Sequence, residues 1–395
     1  MKIISVNAGS SSLKFKLFEM PSQHVLCEGV YERIGQPTGL VKFMIESTTK
    51  EEIALPDHGV AVHDLLDRLI KQNVVQSLDE ITGVGHRVVH GGEAFAASVV
   101  ITPETITAIK QVSDLAPLHN PANLTGIKAF QDALPQATQV AVFDTAFHQT
   151  MPEEAYMYAT PYEWYDLYKV RKYGFHGTSH LYVSRRAAEL LGKAPQEVNI
   201  VVAHIGNGAS LCAVKEGKSV ETTMGLTPLA GIPMGTRSGN IDPAIIPFVM
   251  EKSSSSVTQV VDQLNKASGL LGVSGVSSDN RDVEKAGAEG SERANLSMSL
   301  QGKAIADIIA QYVVYMGGAD AICFTAGLGE NAPRLRADVA NRLAYLGIKL
   351  DEEKNLVRGE ERRISSSNSK IPVYVIPTNE ELVIAEDTYF LSSQL

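Results

Sequence analysis

One pattern occurs twice and restricts the fold more than any other. Near the start, "IISVNAGSSSLKFKLFE" runs from an apolar stretch (Ile3, Ile4, Val6) through small residues into Leu13, Phe15 and Leu17, which alternate with Lys14, Lys16 and Glu19. Alternation with period two is the mark of a half-buried strand. Midway, "VNIVVAHIGNGASLCAVKEGKSVETT" repeats the strand, the glycine-rich turn and the second strand, then turns again at Gly217 into a third. "NAGSSSL" and "HIGNGASL" align with a one-residue gap. Two copies of one unit in 395 residues point to two related halves. The turns also suggest a use. Small residues let a ligand approach the backbone, and Gly9 can take positive φ. Hydroxyls and free N–H groups suit phosphate oxygens, which accept and never donate. A polar loop without a ligand is the competing reading.

Between the copies, strands and helices alternate, which predicts an α/β protein. "GVGHRVV" reads as a strand around Gly83 to Val89, and "QVAVFD" as one ending at Asp144. "SHLYVSRRAAELLG" reads as a helix capped by Thr178 or Ser179 and stopped at Gly192. "IDPAIIPFVMEK" begins with Asp242 as cap and Pro243 at the first helical position. "PTNEELVIAEDTYFL" reads as a last helix, with Thr378 and Glu381 as a capping box. A third glycine-rich turn, "FTAGLGENA", follows another apolar run.

Composition enters as a filter. A net charge of −10 makes nucleic acid and anionic membrane poor partners. An anionic ligand must then be held by a few placed arginines. No run of 18 apolar residues and no basic-then-apolar leader is present, so a cytoplasmic location is expected. Cys27, Cys212 and Cys323 lie far apart, without metal spacing or a disulfide framework, and are expected to be buried thiols.

Arg87 in "GHRVVHGG" and Arg237 in "MGTRSGN" are lone arginines in charge-poor segments. Guanidinium forks match carboxylate and phosphoryl oxygens with paired hydrogen bonds. Asp144 ends a buried strand, where α/β folds present groups to ligands. His176 and His180 are four apart, but Gly177 and the helix start intervene and no H-E-x-x-H pattern exists, so zinc is set aside and His180 is read as structural. The capping box leaves Glu380 without a local task.

Nine stretches in order carry a wider likeness: "NAGSSSLKF", "GHRVVHGGE", "FDTAFH", "YGFHGTSH", "HIGNGAS", "MGTRSGNIDP", "SSDNRDVE", "FTAGLGEN" and "TNEELVIA". Together the chain resembles the acetate and propionate kinases, of the superfamily of sugar kinases, Hsp70 and actin. The resemblance implies two duplicated actin-like (ribonuclease H-like) α/β domains around a central cleft. Residues 1–150 plus 382–395 would form the acceptor-side domain, and 151–381 the nucleotide-binding and dimerisation domain of a homodimer. It implies reversible phosphoryl transfer from ATP to acetate, giving acetyl phosphate and ADP, with Mg²⁺ (or Mn²⁺ as a stand-in), in acetyl-CoA biosynthesis.

The resemblance assigns Arg87, Asp144, His176 and Arg237 to catalysis, and Asn7 and Glu380 to the metal. It places Lys14, His204, Asn207, Gly208, Asp279, Arg281, Gly327, Gly329 and Asn331 around the nucleotide. Arg87 with Val89, Leu118, Phe175 and Pro228 would hold the acyl group, and His119 would position the substrate loop. A carboxylate acceptor is already ionised at neutral pH, so the site needs positive charge more than a strong base. A pocket tells one methylene apart by only ~1–3 kcal/mol, so acetate over propionate is a preference, and Val89 tilts it towards acetate. Two rivals remain: a dehydrogenase, from "GLGENA" with Asp351 as ribose acid, and a non-catalytic or chaperone-like ATPase.

Overall fold

The computed structural model describes residues 1–117 and 119–395, so Leu118 lies outside the described residues. Two compact units emerge: Met1–Gln149 with Asn379–Leu395, and Thr150–Thr378. The sequence-based division kept residues up to 381 with the second half, whereas the first unit takes the chain from Asn379 onward.

In the first unit the strands are β1 (Lys2–Ala8), β2 (Ser12–Glu19), β3 (His24–Glu32), β4 (Gly39–Met44), β5 (Thr48–Ile53), β6 (Ile81–Val88), β7 (Val99–Val100) and β8 (Thr138–Phe143). They form one sheet in the order β5-β4-β3-β2-β1-β6-β8-β7. The second unit has β9 (Asn199–Ile205), β10 (Ala209–Lys215), β11 (Lys218–Thr222), β12 (Ala321–Thr325), β13 (Arg362–Arg363) and β14 (Val373–Val375), ordered β11-β10-β9-β12-β14-β13.

The central five strands of each sheet share one plan. β3-β2-β1 and β11-β10-β9 are antiparallel, and β1-β6-β8 and β9-β12-β14 are parallel. The repeat read in the sequence is therefore a repeat of topology. Its one-residue gap lies in the turns: Ala8 pairs with Leu13 across four residues, and Ile205 pairs with Ala209 across three.

Helices cover these sheets because the central strands are apolar on both faces, as parallel strands must be when buried. In the first unit Leu65, Leu66 and Leu69 of the helix His58–Lys71, and Phe130 of the helix Asn120–Ala133, join Ile4, Phe15 and Val84 of the sheet in one core. The helix Glu380–Ser392 packs Ile384 and Ala385 against other sheet residues, among them Ile3, Val140 and Val142.

Two glycines explain how closely that last helix lies on β6. A Cβ on Gly83 would come 2.9 Å from Thr388, and one on Gly85 would come 2.3 Å from the Thr388 hydroxyl and 2.5 Å from Ile384. Residues 83, 85 and 87 share a strand face, and residues 388, 384 and 380 share a helix stripe. Two strand residues advance about 6.6 Å and one helical turn about 5.4 Å, so the two rows stay nearly in step. The helix thus delivers its first turn, with Glu380, to the level of Arg87.

Several local expectations change. The last helix is capped by Asn379, whose side chain accepts from the Leu382 amide at 3.2 Å, so Thr378 and Glu381 form no capping box. The helix Gly177–Leu190 begins after His176, and neither Thr178 nor Ser179 caps it; both are buried within its first turn. The helix Ile245–Ser253 starts later than its sequence suggests, because the Asp242 carboxylate turns back onto the Ala244 amide at 2.9 Å. All three cysteines are buried, and burial pushes the thiols of Cys27 and Cys212 up to about 12.

Candidate active site

In the first unit the ends of β6 and β8 are adjacent parallel neighbours, which sets Arg87 beside Asp144. The pair is bidentate: Arg87 Nε donates to Asp144 Oδ1 at 2.8 Å and Nη2 to Oδ2 at 2.6 Å. Asp144 is 1% exposed and Arg87 22%, so one side of the guanidinium is fixed in protein and the rest reaches solvent. Burial alone would lower the Arg87 pKa, but Asp144, then Glu380 and Glu381, outweigh it and raise it. The Glu380 carboxyl moves the other way from an ordinary acid. Burial raises its pKa most, Asp144 and Glu381 add to the rise, and Arg87 and Lys14 oppose it. Glu381 is ion-paired with Lys14, and this pairing overcomes burial and lowers its pKa. Asn7 is half-buried near the end of β1, directly across the ladder from Lys14.

The second unit assembles a different group at the equivalent turn. His176 holds φ 57° and ψ 26°, the left-handed region, immediately before the helix Gly177–Leu190. A non-glycine residue held there costs on the order of 1–3 kcal/mol and must be fixed by its surroundings. Its Nδ1 lies 2.9 Å from the Ser210 hydroxyl, and its ring stacks on His204 with centroids 4.0 Å apart. His204 Nδ1 lies 2.8 Å from the Ser179 hydroxyl, which in turn accepts from Thr378 at 2.8 Å. A Cβ placed on Gly208 would meet Arg237 Nη1 at 3.3 Å and His176 Nε2 at 3.7 Å. Backbone, guanidinium and imidazole therefore converge at Gly208, and only a residue without a side chain leaves that space open. Arg237 Nη1 donates to the Pro228 carbonyl at 3.3 Å and to Met234 Sδ at 3.8 Å, and has no carboxylate neighbour among the described residues. Burial accordingly lowers its pKa with nothing to offset it.

Also within the second unit, a cavity of about 460 Å³ is lined by Asn207, Asp279, Arg281, Gly327, Asn331 and Arg358, among others. That volume suits a small organic ligand. Asp279 caps the helix Asn280–Ala288, and the Arg281 guanidinium and amide bring its carboxyl down to about 2. Gly329 does not line the cavity. Its carbonyl accepts from the buried Arg336 at 2.9 Å, below the turn. Of the apolar candidates, Val89 and Phe175 are buried and Pro228 half-buried.

Two sheets that share a five-strand plan, each with a glycine turn at the equivalent hairpin, define a protein of the duplicated actin-like α/β class. Residues 2–386 match the model of the acetokinase family. An acetate kinase of Geobacillus kaustophilus is 55% identical over 393 residues, 99% of each chain. Among solved structures, an acetate kinase from Porphyromonas gingivalis superposes with a TM-score of 0.95 at 46% identity, covering 99% of both chains. A propionate kinase from Francisella tularensis superposes with a TM-score of 0.93 at 43% identity and the same coverage. The chain belongs to the acetokinase family.

Sequence reasoning missed the residues that hold these groups in place. Asn123 donates to the Ala8 carbonyl at 2.8 Å and accepts from the Val89 amide at 3.1 Å, tying the ends of β1 and β6 together. Asn120, one turn earlier, brackets His90 through its amide and carbonyl at 3.1 and 2.9 Å. His58 Nε2 lies 2.8 Å from the Gly9 carbonyl. Glu330 accepts from the amides of Ala326 and Thr378 at 2.8 and 3.2 Å. The one available signal was "NPAN", two asparagines on a single helix face at a helix start, where free asparagines are otherwise poor helix formers.

Proposed function

We propose that this chain catalyses reversible phosphoryl transfer between ATP and acetate, forming acetyl phosphate and ADP. The supporting observation is the convergence at Gly208: an arginine without a carboxylate partner among the described residues and an imidazole face one glycine turn, an arrangement whose fixed charge attracts an anion. Arg237 and His176 would hold the phosphoryl oxygens, and the Asn207–Gly208 turn would donate its amides. Arg87, kept in register by Asp144, would present its open edge to the acetate carboxylate and the transferring group. Such donors stabilise charge as it spreads over the phosphoryl oxygens, and removing one costs ~10²–10³ in rate. Adenosine would occupy the cavity bounded by Asp279, Arg281, Gly327 and Asn331. Val89, Phe175 and Pro228 would limit the acyl chain.

The acids of the first unit fit a divalent cation. Asp144, Glu380 and Glu381 gather around Arg87, and the Glu380 pKa is raised by burial first and by Asp144 and Glu381 after it. Among the described residues no three His, Cys, Asp or Glu side chains close on a point. Mg²⁺ needs only one or two carboxylates besides water and phosphate. Glu380, with Asn7, would hold it, and the ion would supply charge neutralisation of the phosphates.

A homodimer through the second unit is supported by exposed Tyr162, Trp164, Leu167, Tyr168 and Phe248, all on that unit. No helix among the described residues is long and apolar enough to cross a membrane, and cytoplasm is the proposed location.

The test traps acyl phosphate as hydroxamate, with ATP, Mg²⁺ and acetate, propionate or butyrate. Acetate should exceed propionate modestly, and butyrate should be poor. No turnover in either direction overturns the reading, and equal rates for all three remove the acyl pocket.

A further inference from the structure

Ser210 stands between two histidines. Its hydroxyl oxygen lies 2.9 Å from His176 Nδ1 and 2.8 Å from His180 Nε2, and both Ser210 and His180 are fully buried. A serine hydroxyl has one proton to give and lone pairs to accept with. Facing two imidazole nitrogens, it can donate to at most one, and when it does it must accept from the other. The two rings are therefore linked: if Ser210 donates to His176 Nδ1, His180 carries its proton on Nε2, and the reverse holds if Ser210 donates to His180.

The consequences at the other edge of His176 are opposite. With Nδ1 accepting from Ser210, a neutral His176 carries its proton on Nε2, the nitrogen that faces the Gly208 turn beside Arg237. With Nδ1 donating to Ser210, Nε2 offers a lone pair instead. Phosphoryl oxygens only accept, so the first arrangement binds them and the second repels them.

We infer that Ser210 is a positioning residue that, with His180 behind it, fixes His176 as the Nε2–H tautomer and so makes it a hydrogen-bond donor without requiring a positive charge. Three features of the surroundings serve this. The His176 ring is held at Ser210 through Nδ1 at 2.9 Å, so a flip that exchanges its ring positions loses that bond. His204 stacks on it at 4.0 Å, which disfavours two imidazolium rings together. The guanidinium of Arg237, the nearest fixed cation at the turn, opposes a second positive charge there. His180, read from the sequence as purely structural, thereby gains a part in the reaction. Lys14 occupies the strand position equivalent to Ser210 in the first unit, and it is engaged by a carboxylate instead.

This inference rests on the proposed phosphoryl site, but its test reads the tautomer directly. The full-length protein is labelled with ¹⁵N-histidine, and long-range proton–nitrogen spectra are recorded about two pH units above the ordinary histidine pKa of ~6.5. A His176→Gln variant assigns the signals. Wild type should show His176 protonated on Nε2. Ser210→Ala should convert it to a mixture or to Nδ1–H, and should lower kcat about tenfold with little change in KM for ATP, less than the ~10²–10³-fold loss of a donor removed outright. Ser210→Cys, nearly isosteric, serves if alanine proves unstable. Wild-type His176 protonated on Nδ1, or a Ser210 variant with an unchanged tautomer, overturns the inference. The predicted tautomer together with undiminished activity in His176→Gln would instead sink the phosphoryl role of His176 and leave the relay standing.

Discussion

The two glycine turns are the same device with opposite surroundings. At the first, Asn7 faces Lys14 across the ladder; at the second, His204 faces Ser210. Around the first lie three carboxylates and one arginine that is locked to one of them. Around the second lie three imidazoles and an arginine with no carboxylate partner among the described residues. A shared scaffold supplies the hairpin in both places, and the strands and helices that end nearby decide the sign of the charge. A duplicated fold can thus surround one turn with carboxylates and the other with imidazoles without altering its sheet.

The sharpest way to break this comparison is to remove each arginine. Arg87→Ala and Arg237→Ala should each lower kcat by ~10²-fold or more. They should differ in stability. Arg87→Ala leaves Asp144 buried and unpaired, which costs ~3–5 kcal/mol when a buried pair loses one partner, so its melting temperature should fall. Arg237→Ala strands no carboxylate and should melt close to wild type. Equal melting temperatures would show that the Arg87–Asp144 pair is not structural. Lysine at either position should rescue poorly, because it lacks the fork.

A smaller effect separates the helix from the chemistry it carries. Gly85→Ala puts a methyl 2.3 Å from Thr388 Oγ1 and 3.0 Å from the Ile384 carbonyl, so the last helix must lift. Overpacking of this kind costs ~1–3 kcal/mol. Activity should fall with it, because Glu380 rides on the same helix, and a denaturant titration paired with kcat measures both. A variant destabilised but fully active would mean that helix placement does not set the Glu380 position.

The smallest effect distinguishes the adjacent acids. Glu380→Gln should raise the Mg²⁺ concentration needed for half-maximal activity about tenfold, within the ~10–100-fold cost seen around metal sites. Glu381→Gln loses the partner of Lys14, and since Lys14 is more than half exposed the stability change should be a few tenths of a kcal/mol. If Glu381→Gln carries the larger Mg²⁺ defect, the roles of the two glutamates are exchanged.

The last helix shows where the sequence could and could not be read. Its existence was visible in "TNEELVIAEDTYFL". Its cap was placed one residue early, because Thr378 fits the capping pattern as well as Asn379 does. What distinguishes them is Ser179, 199 residues away, which takes the Thr378 hydroxyl. Thr178 and Ser179 were mistaken for caps for the same reason: both are good cap residues, but His176 enters the helix from a left-handed backbone that no propensity foretells.

The sequence by itself determined what is written in periods and in repeated order. Alternation marked the strands, two glycine turns marked the duplicated sheet, and scarce charge singled out Arg87 and Arg237. These signals are local, so a short stretch of chain contains them whole. Only the tertiary structure decided which polar side chains serve one another. Asn123 bridging Ala8 and Val89, Ser210 between His176 and His180, and Glu380 brought level with Arg87 by Gly83 and Gly85 all join residues far apart in the chain. A hydrogen bond is specified by a few tenths of an ångström and an angle, and those are fixed by packing, not by neighbours in sequence.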